Sequence, residues 1–273
     1  MLSDLPHGKG MSKSKGNVVW ADELLRNYAI DSFRYWVGTA KWGSDIPFKE
    51  KELVAGKRFL TKLWNASRFV LINLPSTKKP KKIEVIDKWI LSELSSVVEK
   101  ATKNFDVYKT EEAKKVIEQF FWHTFCDNYL EIIKDRLYNK KRSKQEKESA
   151  RYTLYIVLFA ILKLIAPIMP HITEEIYQSF FKKYEKVKSI HISEWPKINK
   201  KLIDKRAEKI GDATIEIVTK VRQFKSKAGK SLKTEILLTL DKKRKKTLKD
   251  VLADLKAVTN AREIKSGKFS VKF

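Results

Sequence analysis

The chain has 273 residues, and its 58 Lys and Arg against 33 Asp and Glu give a formal net charge of +25. Hydrophobic residues make up 42% of the sequence, which is enough for packed cores and excludes a fully disordered chain. So large a positive charge attracts polyanions, and nucleic acid is expected as the partner ahead of an acidic membrane surface. The single cysteine, Cys126, excludes an internal disulfide framework and a cysteine-built zinc site. With no secretory leader in the first twenty residues, we predict a cytoplasmic protein.

The first part of the chain changes from a loop to helices near Ala21. Residues 1–18 hold glycine, serine and lysine without an apolar period, which predicts a loop. Apolar residues then recur at helical spacing, most clearly from about Phe48 onward. Pro75 ends this helix, and the proline- and lysine-rich stretch after it predicts a solvated linker. We therefore expect helices and a linker over 19–82.

The segment 83–196 has the pattern of an all-α bundle. A basic connector is expected over 139–147. The longest apolar run, Tyr152–Leu162, is shorter than the roughly twenty residues that cross a bilayer, so it predicts a buried helix and no membrane partner. The expected helices are Asp87–Lys103, a long helix to Tyr138 with Thr110 as its N-cap, a buried helix ending at Pro167, and one from Pro170 to about Lys183.

The segment 197–273 predicts a small basic α+β module. An amphipathic helix is expected over Ala207–Phe224 and a second helix over Lys246–Ala257. Strands are expected over Glu235–Leu240, over Ala261–Lys265 and, from the alternation of Phe269, Val271 and Phe273 with polar residues, at the C-terminus. The fold class predicted for the whole chain is thus mainly α, with a loop and helices, an all-α bundle and an α+β end.

One motif suggests phosphate chemistry. Gly10-Met11-Ser12-Lys13-Ser14-Lys15-Gly16-Asn17 combines glycines, which allow close backbone approach, with ammonium groups that act as point charges for phosphate. The alternative is a flexible basic loop without a ligand. The motif alone does not decide between the two.

Three separated segments resemble class I aminoacyl-tRNA synthetases of the valine, isoleucine and leucine group. Met11–Ser14 matches the last four letters of that family's KMSKS loop, and Tyr28–Trp36 is similar to its YGADALRYW segment. Leu164–Tyr177 looks like the hallmark of its anticodon-binding bundle. Asp45–Phe48 and Lys62–Phe69 look most like valyl-tRNA synthetases, particularly the archaeal type. The resemblance is strong over residues 1–196 and looser over the last seventy.

The resemblance implies ATP-dependent valine activation followed by transfer of valine to tRNA(Val). Lys13 matches the second lysine of KMSKS, which neutralises the leaving pyrophosphate, and Ser12 and Ser14 would shape the turn that faces the phosphates. Gly10 and Met11 complete the expected ATP-phosphate site, where Mg²⁺ would accompany ATP and no protein-bound metal is predicted. Gly10 stands where the first KMSKS lysine is expected.

The given sequence contains no HIGH motif and no nucleotide-binding or editing domain. We therefore expect part of a valine–tRNA ligase, either a fragment or one piece of a split enzyme, that is inactive in isolation. The alternative is a stand-alone tRNA- or RNA-binding module without catalysis.

The residues expected to contact tRNA are basic or aromatic side chains on predicted helix faces, connectors and loops. For each of them the alternative is a solvated surface position. Two His pairs at helical spacing, His171 with Glu174 and His123 with Cys126, are expected to be packing or capping residues rather than metal ligands. The candidate tRNA contacts are Lys57, Arg58, Lys62, Arg68, Tyr138, Lys140, Arg142, Lys227 and Lys230.

Overall fold

The computed structural model describes residues 11–41, 43, 46, 48–74 and 78–273. Over these residues the protein is mainly α-helical with one small sheet, as the sequence predicted. In chain order, the α-helices are α1 (Ala21–Leu25), α2 (Ile30–Val37), α3 (Glu50–Ile72), α4 (Val85–Asp106), α5 (Thr110–Gln119), α6 (Glu131–Tyr138), α7 (Lys144–Ile165), α8 (Pro170–Ile176), α9 (Lys182–Glu185), α10 (Lys205–Lys227), α11 (Lys242–Thr247) and α12 (Leu252–Thr259). The strands are β1 (Ile236–Leu240), β2 (Ala261–Ser266) and β3 (Ser270–Lys272).

The chain divides into two compact units that alternate along the sequence, and the boundaries fall inside or beside helices. The predicted boundaries at residues 18, 82 and 196 stay predictions. Unit 1 comprises Met1–Ile72, Val97–Gln119 and Leu158–Lys197, and unit 2 comprises Asn73–Ser96, Phe120–Val157 and Ile198–Phe273.

In unit 1, α2 packs closely on α3. A Cβ on Gly56 would lie 2.9 Å from the backbone of Ser32, so only glycine permits this approach of the two helices. The ring of Tyr35 on α2 packs against that of the buried Phe59 of α3, with the centroids 5.3 Å apart and the planes tilted by 31°. Elsewhere in the unit, the indole N–H of Trp195 donates to Thr102 Oγ1 at 2.9 Å.

In unit 2, a buried ionic cluster joins three helices. Arg136 on α6 is 2% exposed and donates to Asp254 on α12 (Nε to Oδ1, 2.8 Å) and to Asp87 on α4 (Nη1 to Oδ2, 3.0 Å). The hydroxyls of Tyr129 and Ser149 also donate hydrogen bonds to the carboxylate of Asp87. The pKa of Asp87 is raised, because the effect of burial outweighs the opposing effect of Arg136. The cluster depends on Arg136, because without it Asp87 would have no cationic partner among the described residues and Asp254 would keep only Arg142, at 3.2 Å.

The sheet of unit 2 has the order β2-β1-β3, so β1 lies in the centre. It pairs parallel with β2 and antiparallel with β3, and Leu238 of β1 faces Ile264 and Val271 across the two ladders. The three strands therefore lie close to their predicted places. The alternation expected at the C-terminus is incomplete, because Ser270 is half-buried like Phe269 and Val271. The last residue, Phe273, is 52% exposed, although it stacks on Phe224 at 4.8 Å.

Two π-helical stretches interrupt helices that the sequence predicted to be regular. The long helix expected up to Tyr138 consists of α5, a π-helical stretch Phe120–Leu130 and α6, and α5 begins at Thr110 rather than being capped by it. The second is Tyr177–Phe181, between α8 and α9. Within the first stretch Cys126 is buried, but His123 is exposed and pairs with Asp127 at 3.1 Å, so the expected packing of His123 in the core was wrong.

Local hydrogen bonds correct two further boundaries. The basic connector is shorter than predicted because α7 begins at Lys144, after a reciprocal cap in which Ser143 and Glu146 bond each other's backbone N–H groups. The predicted helix Lys246–Ala257 is split into α11, a 3₁₀ turn at Lys249–Val251 and α12. Across the described part of the chain, no helix combines the length and apolar content needed to cross a membrane.

Candidate phosphate-binding loop and nucleic-acid surface

The candidate phosphate-binding loop folds into a short 3₁₀ turn at Lys13–Lys15. The Ser12 N–H donates to Asn17 Oδ1 at 2.8 Å, and the hydroxyls of Ser12 and Ser14 lie 2.7 Å apart in a hydrogen bond. Gly16 ends the turn with φ of 61°, in the left-handed region that glycine adopts without strain. Gly10 lies outside the described residues.

Lys13 is exposed, so its ammonium group is free to meet a ligand from solvent. Its Nζ lies 5.4 Å from the ring centroid of Trp20, which is 50% exposed. Ser14 is exposed as well, whereas Ser12 is half-buried. The turn thus presents the ammonium groups of Lys13 and Lys15 beside two hydroxyls, a group of donors suited to phosphate oxygens.

Both ends of the loop pack on one hydrophobic cluster. Met11 and Val19 contact a cluster formed by the buried Trp36, Phe48 and Leu53. The rings of Trp36 and Phe48 meet edge to face at 5.5 Å. Because Trp36 belongs to α2, this helix carries the anchor of the loop.

Helix α2 also caps the turn between α7 and α8. Arg34 donates to the carbonyls of Pro167 (2.8 Å) and Ile168 (3.0 Å), after the end of α7. The buried Asp31 accepts from the backbone N–H of Ile172 at 2.7 Å and, more weakly, from that of His171 at 3.4 Å, at the start of α8. Two of the segments that carry the family resemblance therefore form one joint inside unit 1.

The basic residues of α3 lie on its solvent face. Lys57, Arg58 and Arg68 are exposed and Lys62 is half-buried. Trp64, on the same helix, is 38% exposed. The helix thus offers a row of charges and one aromatic ring to a polyanion.

The predicted contacts near the start of α7 differ from one another. Tyr138 is 61% exposed, with its hydroxyl accepting a hydrogen bond from Asn73 at 3.1 Å, and Lys140 is exposed. Arg142 is instead 10% exposed and pairs with three carboxylates. Burial alone would lower the pKa of Arg142, but these partners raise it. The partners are Asp135 (2.6 Å), Glu146 (2.8 Å) and Asp254 (3.2 Å).

The basic stretch after α10 is only partly a loop. Lys227 ends α10 and is exposed, as is Lys230 in the following turn. Lys225, however, is 1% exposed and donates to the carbonyls of Leu232 (2.7 Å) and Thr259 (2.8 Å), which fix this segment to the rest of unit 2.

Glu174 and His123, two of the side chains considered as metal ligands, bind other protein groups. Glu174 accepts from the hydroxyl of Ser189 and the N–H of Ile190, at 2.9 and 3.0 Å, in the role of a cap. No group of three or more His, Cys, Asp or Glu side chains among the described residues is arranged to hold a metal ion.

Sequence reasoning missed the partners of Asp31, Arg34 and Arg136. Asp31 and Arg34 are spaced to lie near each other on one helix. The only local signal that they matter was their place in the segment Tyr28–Trp36, which carries part of the family resemblance. Arg136 had none, because its two partners lie 49 and 118 residues away in sequence.

Two family models match the chain. Residues 87–241 match the family described as "Anticodon-binding domain of tRNA ligase", and residues 5–66 match "tRNA synthetases class I (M)". A solved LeuRS of Agrobacterium radiobacter K84, in a ternary complex with tRNA and LeuAMS, shares the fold with a TM-score of 0.54 at 17% identity, over 74% of this chain and 24% of that one.

Curated relatives narrow the family further. The valine–tRNA ligase of Ehrlichia ruminantium (strain Welgevonden) is 42% identical over 259 residues, 93% of this chain and 32% of the relative. That of Thermococcus kodakarensis is 39% identical over 234 residues, 85% of this chain and 26% of the relative. The chain thus belongs to the tRNA ligases with this anticodon-binding domain and, among them, to the valyl-tRNA synthetases, of which it represents a C-terminal portion. It spans about a third of the length of such relatives. The archaeal type stays a prediction.

Proposed function

We propose that the chain binds tRNA(Val) as part of a valine–tRNA ligase and supplies the loop that faces the phosphates of ATP. The observation that carries the proposal is the joint on α2. This helix packs the cluster that anchors Met11 and, through Asp31 and Arg34, caps the turn between α7 and α8. A phosphate-binding loop and a helix of the anticodon-binding domain are thereby held together within one unit.

In the proposed reaction ATP activates valine and pyrophosphate leaves. Lys13 would neutralise the charge that accumulates on the leaving group, and the hydroxyls of Ser12 and Ser14 would bind its oxygens. Lys13 has no carboxylate partner among the described residues, and a lysine on a flexible stem is suited to a phosphate that moves. Mg²⁺ would enter with ATP as part of the substrate. We propose a cytoplasmic location because the sequence has a single cysteine and therefore no internal disulfide framework.

The proposed tRNA contacts are exposed charges and rings of unit 1 and unit 2, together with the half-buried Lys62. Arg142 is left out, because its guanidinium is committed to three carboxylates. Splayed anticodon bases would be read by stacking and edge hydrogen bonds, for which the exposed ring of Tyr138 is suited. The proposed set is Lys57, Arg58, Lys62, Arg68, Tyr138, Lys140, Lys227 and Lys230.

The catalytic part of the proposal is tested with Lys13→Ala in a complete enzyme, made by joining this chain to the rest of a valine–tRNA ligase. We expect adenylate formation to slow by about 10²–10³-fold, because one electrostatic partner of the transition state is lost. Affinity for tRNA should change little. Lys15→Ala is the matched control, since Lys15 lies in the same turn but outside the match to KMSKS. It should slow adenylate formation by about tenfold or less.

Equal rate losses for the two variants, or a Lys13 defect confined to tRNA affinity, would refute the role in ATP chemistry. The second result would favour a module that binds tRNA without catalysis. Specificity is tested by the affinity of the chain for tRNA(Val) and for the same tRNA with a changed anticodon. Weaker binding of the changed tRNA is expected, and equal binding contradicts reading of the anticodon.

A further inference from the structure

A run of basic residues lies beyond the two matched family segments. Residues 242–246 are Lys-Lys-Arg-Lys-Lys, and Lys249 follows one turn later, whereas the anticodon-binding match ends at residue 241. The sequence predicted a helix only from Lys246 onward. The structure shows which of these charges the fold uses and which it leaves exposed.

Two of the basic residues hold α11 in place. The ammonium group of Lys245 donates a hydrogen bond to the carbonyl of Ile264 at 2.9 Å, which fixes α11 to β2. Arg244 pairs with Glu216 and Asp241, each at 3.5 Å. Asp241 also caps the helix by accepting from the Arg244 N–H at 2.8 Å. The helix is therefore a fixed support rather than a free tail.

The remaining lysines project from this support into solvent. Lys242, Lys243, Lys246 and Lys249 are all exposed, and none has a carboxylate partner within 4.0 Å in the described part of the chain. Lys242, Lys246 and Lys249 follow the i, i+4, i+7 spacing of a helix face, although the chain passes into a 3₁₀ turn at Lys249. Their mutual repulsion costs stability that a bound polyanion would recover.

The turn between β2 and β3 brings a fifth lysine to the start of α11. The Gly267 N–H donates to the carbonyl of Leu240 at 2.9 Å, at the end of β1. A Cβ on Gly267 would lie 3.0 Å from Thr239 Cγ2, so the close approach favours glycine. The exposed Lys268 follows directly. Next to it, Lys220 Nζ and the Arg244 guanidinium lie 5.5 and 5.7 Å from the ring centroid of Phe269.

We propose that this surface binds the phosphate backbone of tRNA; it is named the α11 patch and consists of Lys242, Lys243, Lys246, Lys249 and Lys268. The proposal rests on the proposed tRNA-binding function and adds a contact that lies outside the anticodon-binding match. RNA phosphate is favoured over a lipid surface because α11 has no apolar residue to insert, whereas helices that bind membranes pair a basic face with an apolar one.

The test compares two variants of the whole chain with equal changes in charge. In the patch variant Lys242, Lys243, Lys246 and Lys249 are changed to Gln. In the control variant four exposed lysines elsewhere in unit 2 are changed to Gln; they are Lys79, Lys81, Lys200 and Lys201. Affinity for a tRNA(Val) transcript is measured over a range of salt concentrations, and circular dichroism with urea unfolding checks that both variants fold.

The slope of log affinity against log salt concentration should fall in magnitude by about 3–4 in the patch variant, since each lost phosphate contact removes about 0.9. This corresponds to roughly 10³-fold weaker binding near 0.1 M salt. The control variant should lose less than about one unit of slope. Adding Lys268→Gln to the patch variant should reduce the magnitude of the slope further.

Each other result refutes a defined part of the proposal. Equal slopes for the patch and control variants overturn the α11 patch but leave tRNA binding by the chain intact. Absence of tRNA binding by the unchanged chain overturns the proposed function itself. Binding of the unchanged chain to phosphatidylserine vesicles that the patch variant loses, with tRNA affinity unaltered, replaces RNA by a lipid surface.

Discussion

Helix α2 of unit 1 and helix α6 of unit 2 each carry an arginine that joins helices, but with partners of opposite kind. Arg34 is exposed and donates to two backbone carbonyls, which carry no charge. Arg136 is 2% exposed and is matched by the carboxylates of Asp87 and Asp254. If Arg34 is lost, water can hydrogen-bond to its carbonyl partners. Water does not replace Arg136 beside its buried carboxylates. The same residue type is therefore expected to contribute very differently to stability at the two sites.

The largest effect is expected for Arg136→Met. This change leaves Asp87 buried without a positive partner and Asp254 with Arg142 alone, so it should lower the free energy of unfolding by about 3–5 kcal/mol. Urea unfolding followed by circular dichroism measures the loss. A variant that also carries Asp87→Asn and Asp254→Asn is the control and should recover part of it, because the unpaired charges are gone. A loss below about 1 kcal/mol would remove the distinction between the two arginines.

Arg34→Ala should cost less, about 1–2 kcal/mol, because its carbonyl partners regain hydrogen bonds from water. The same urea titration applies, and Arg34→Lys should retain part of the stability through one remaining charged donor. If Arg34→Ala destabilised the protein as much as Arg136→Met, exposure and partner charge would not determine the cost.

Asp204→Ala tests a carboxylate that caps a helix in unit 2. Its side chain accepts from the Ala207 N–H at 2.9 Å, and this bond, aided by Lys88, holds the pKa of Asp204 below its ordinary value. We expect a loss of about 1 kcal/mol at neutral pH, as for other N-caps.

The pH dependence of this stabilisation follows from the sign of the shift. Since the pKa is lower in the folded state, the contribution is fully present above the unfolded-state pKa and disappears as the pH falls through the folded-state pKa. The stabilities of the original chain and of Asp204→Ala should therefore converge in acid. A difference that stayed constant through the acid range would rule out the carboxylate as the cause.

The smallest effect is expected for Lys103→Ala. Lys103 pairs with Glu99 at 2.8 Å on the exposed face of α4, and both side chains are largely solvated. Such pairs contribute about 0.3–0.5 kcal/mol at low salt and less when salt screens them. A change above about 1 kcal/mol would show that an exposed pair can match a capping bond.

The sequence predicted elements that depend on neighbouring residues. The long helix from Phe48, the buried helix before Pro167 and the β1 and β2 strands were found close to their expected places, because apolar period and proline position are local signals. The π-helical stretch at Phe120–Leu130 was not predicted, since its aromatic residues satisfy a regular helical pattern equally well.

The candidate site shows the same limit. Lys13 and its turn could be found from a motif. The exposure of Lys57, Arg58 and Arg68 could be found from the apolar period of their helix. The internal pairing of Arg142 could not, because one of its partners, Asp254, is distant in sequence. Charge alone does not distinguish an arginine that neutralises buried carboxylates from one that awaits a ligand.

The burial of the one thiol makes the chain well suited to site-specific labelling. Cys126 lies inside the π-helical stretch of unit 2 and is 7% exposed, so its rate of reaction with a maleimide reports how often that stretch opens. A cysteine introduced at an exposed position would react far sooner. One fluorophore could thus be placed on the folded protein without removing the native residue, and the same reagent, given more time, would measure local opening.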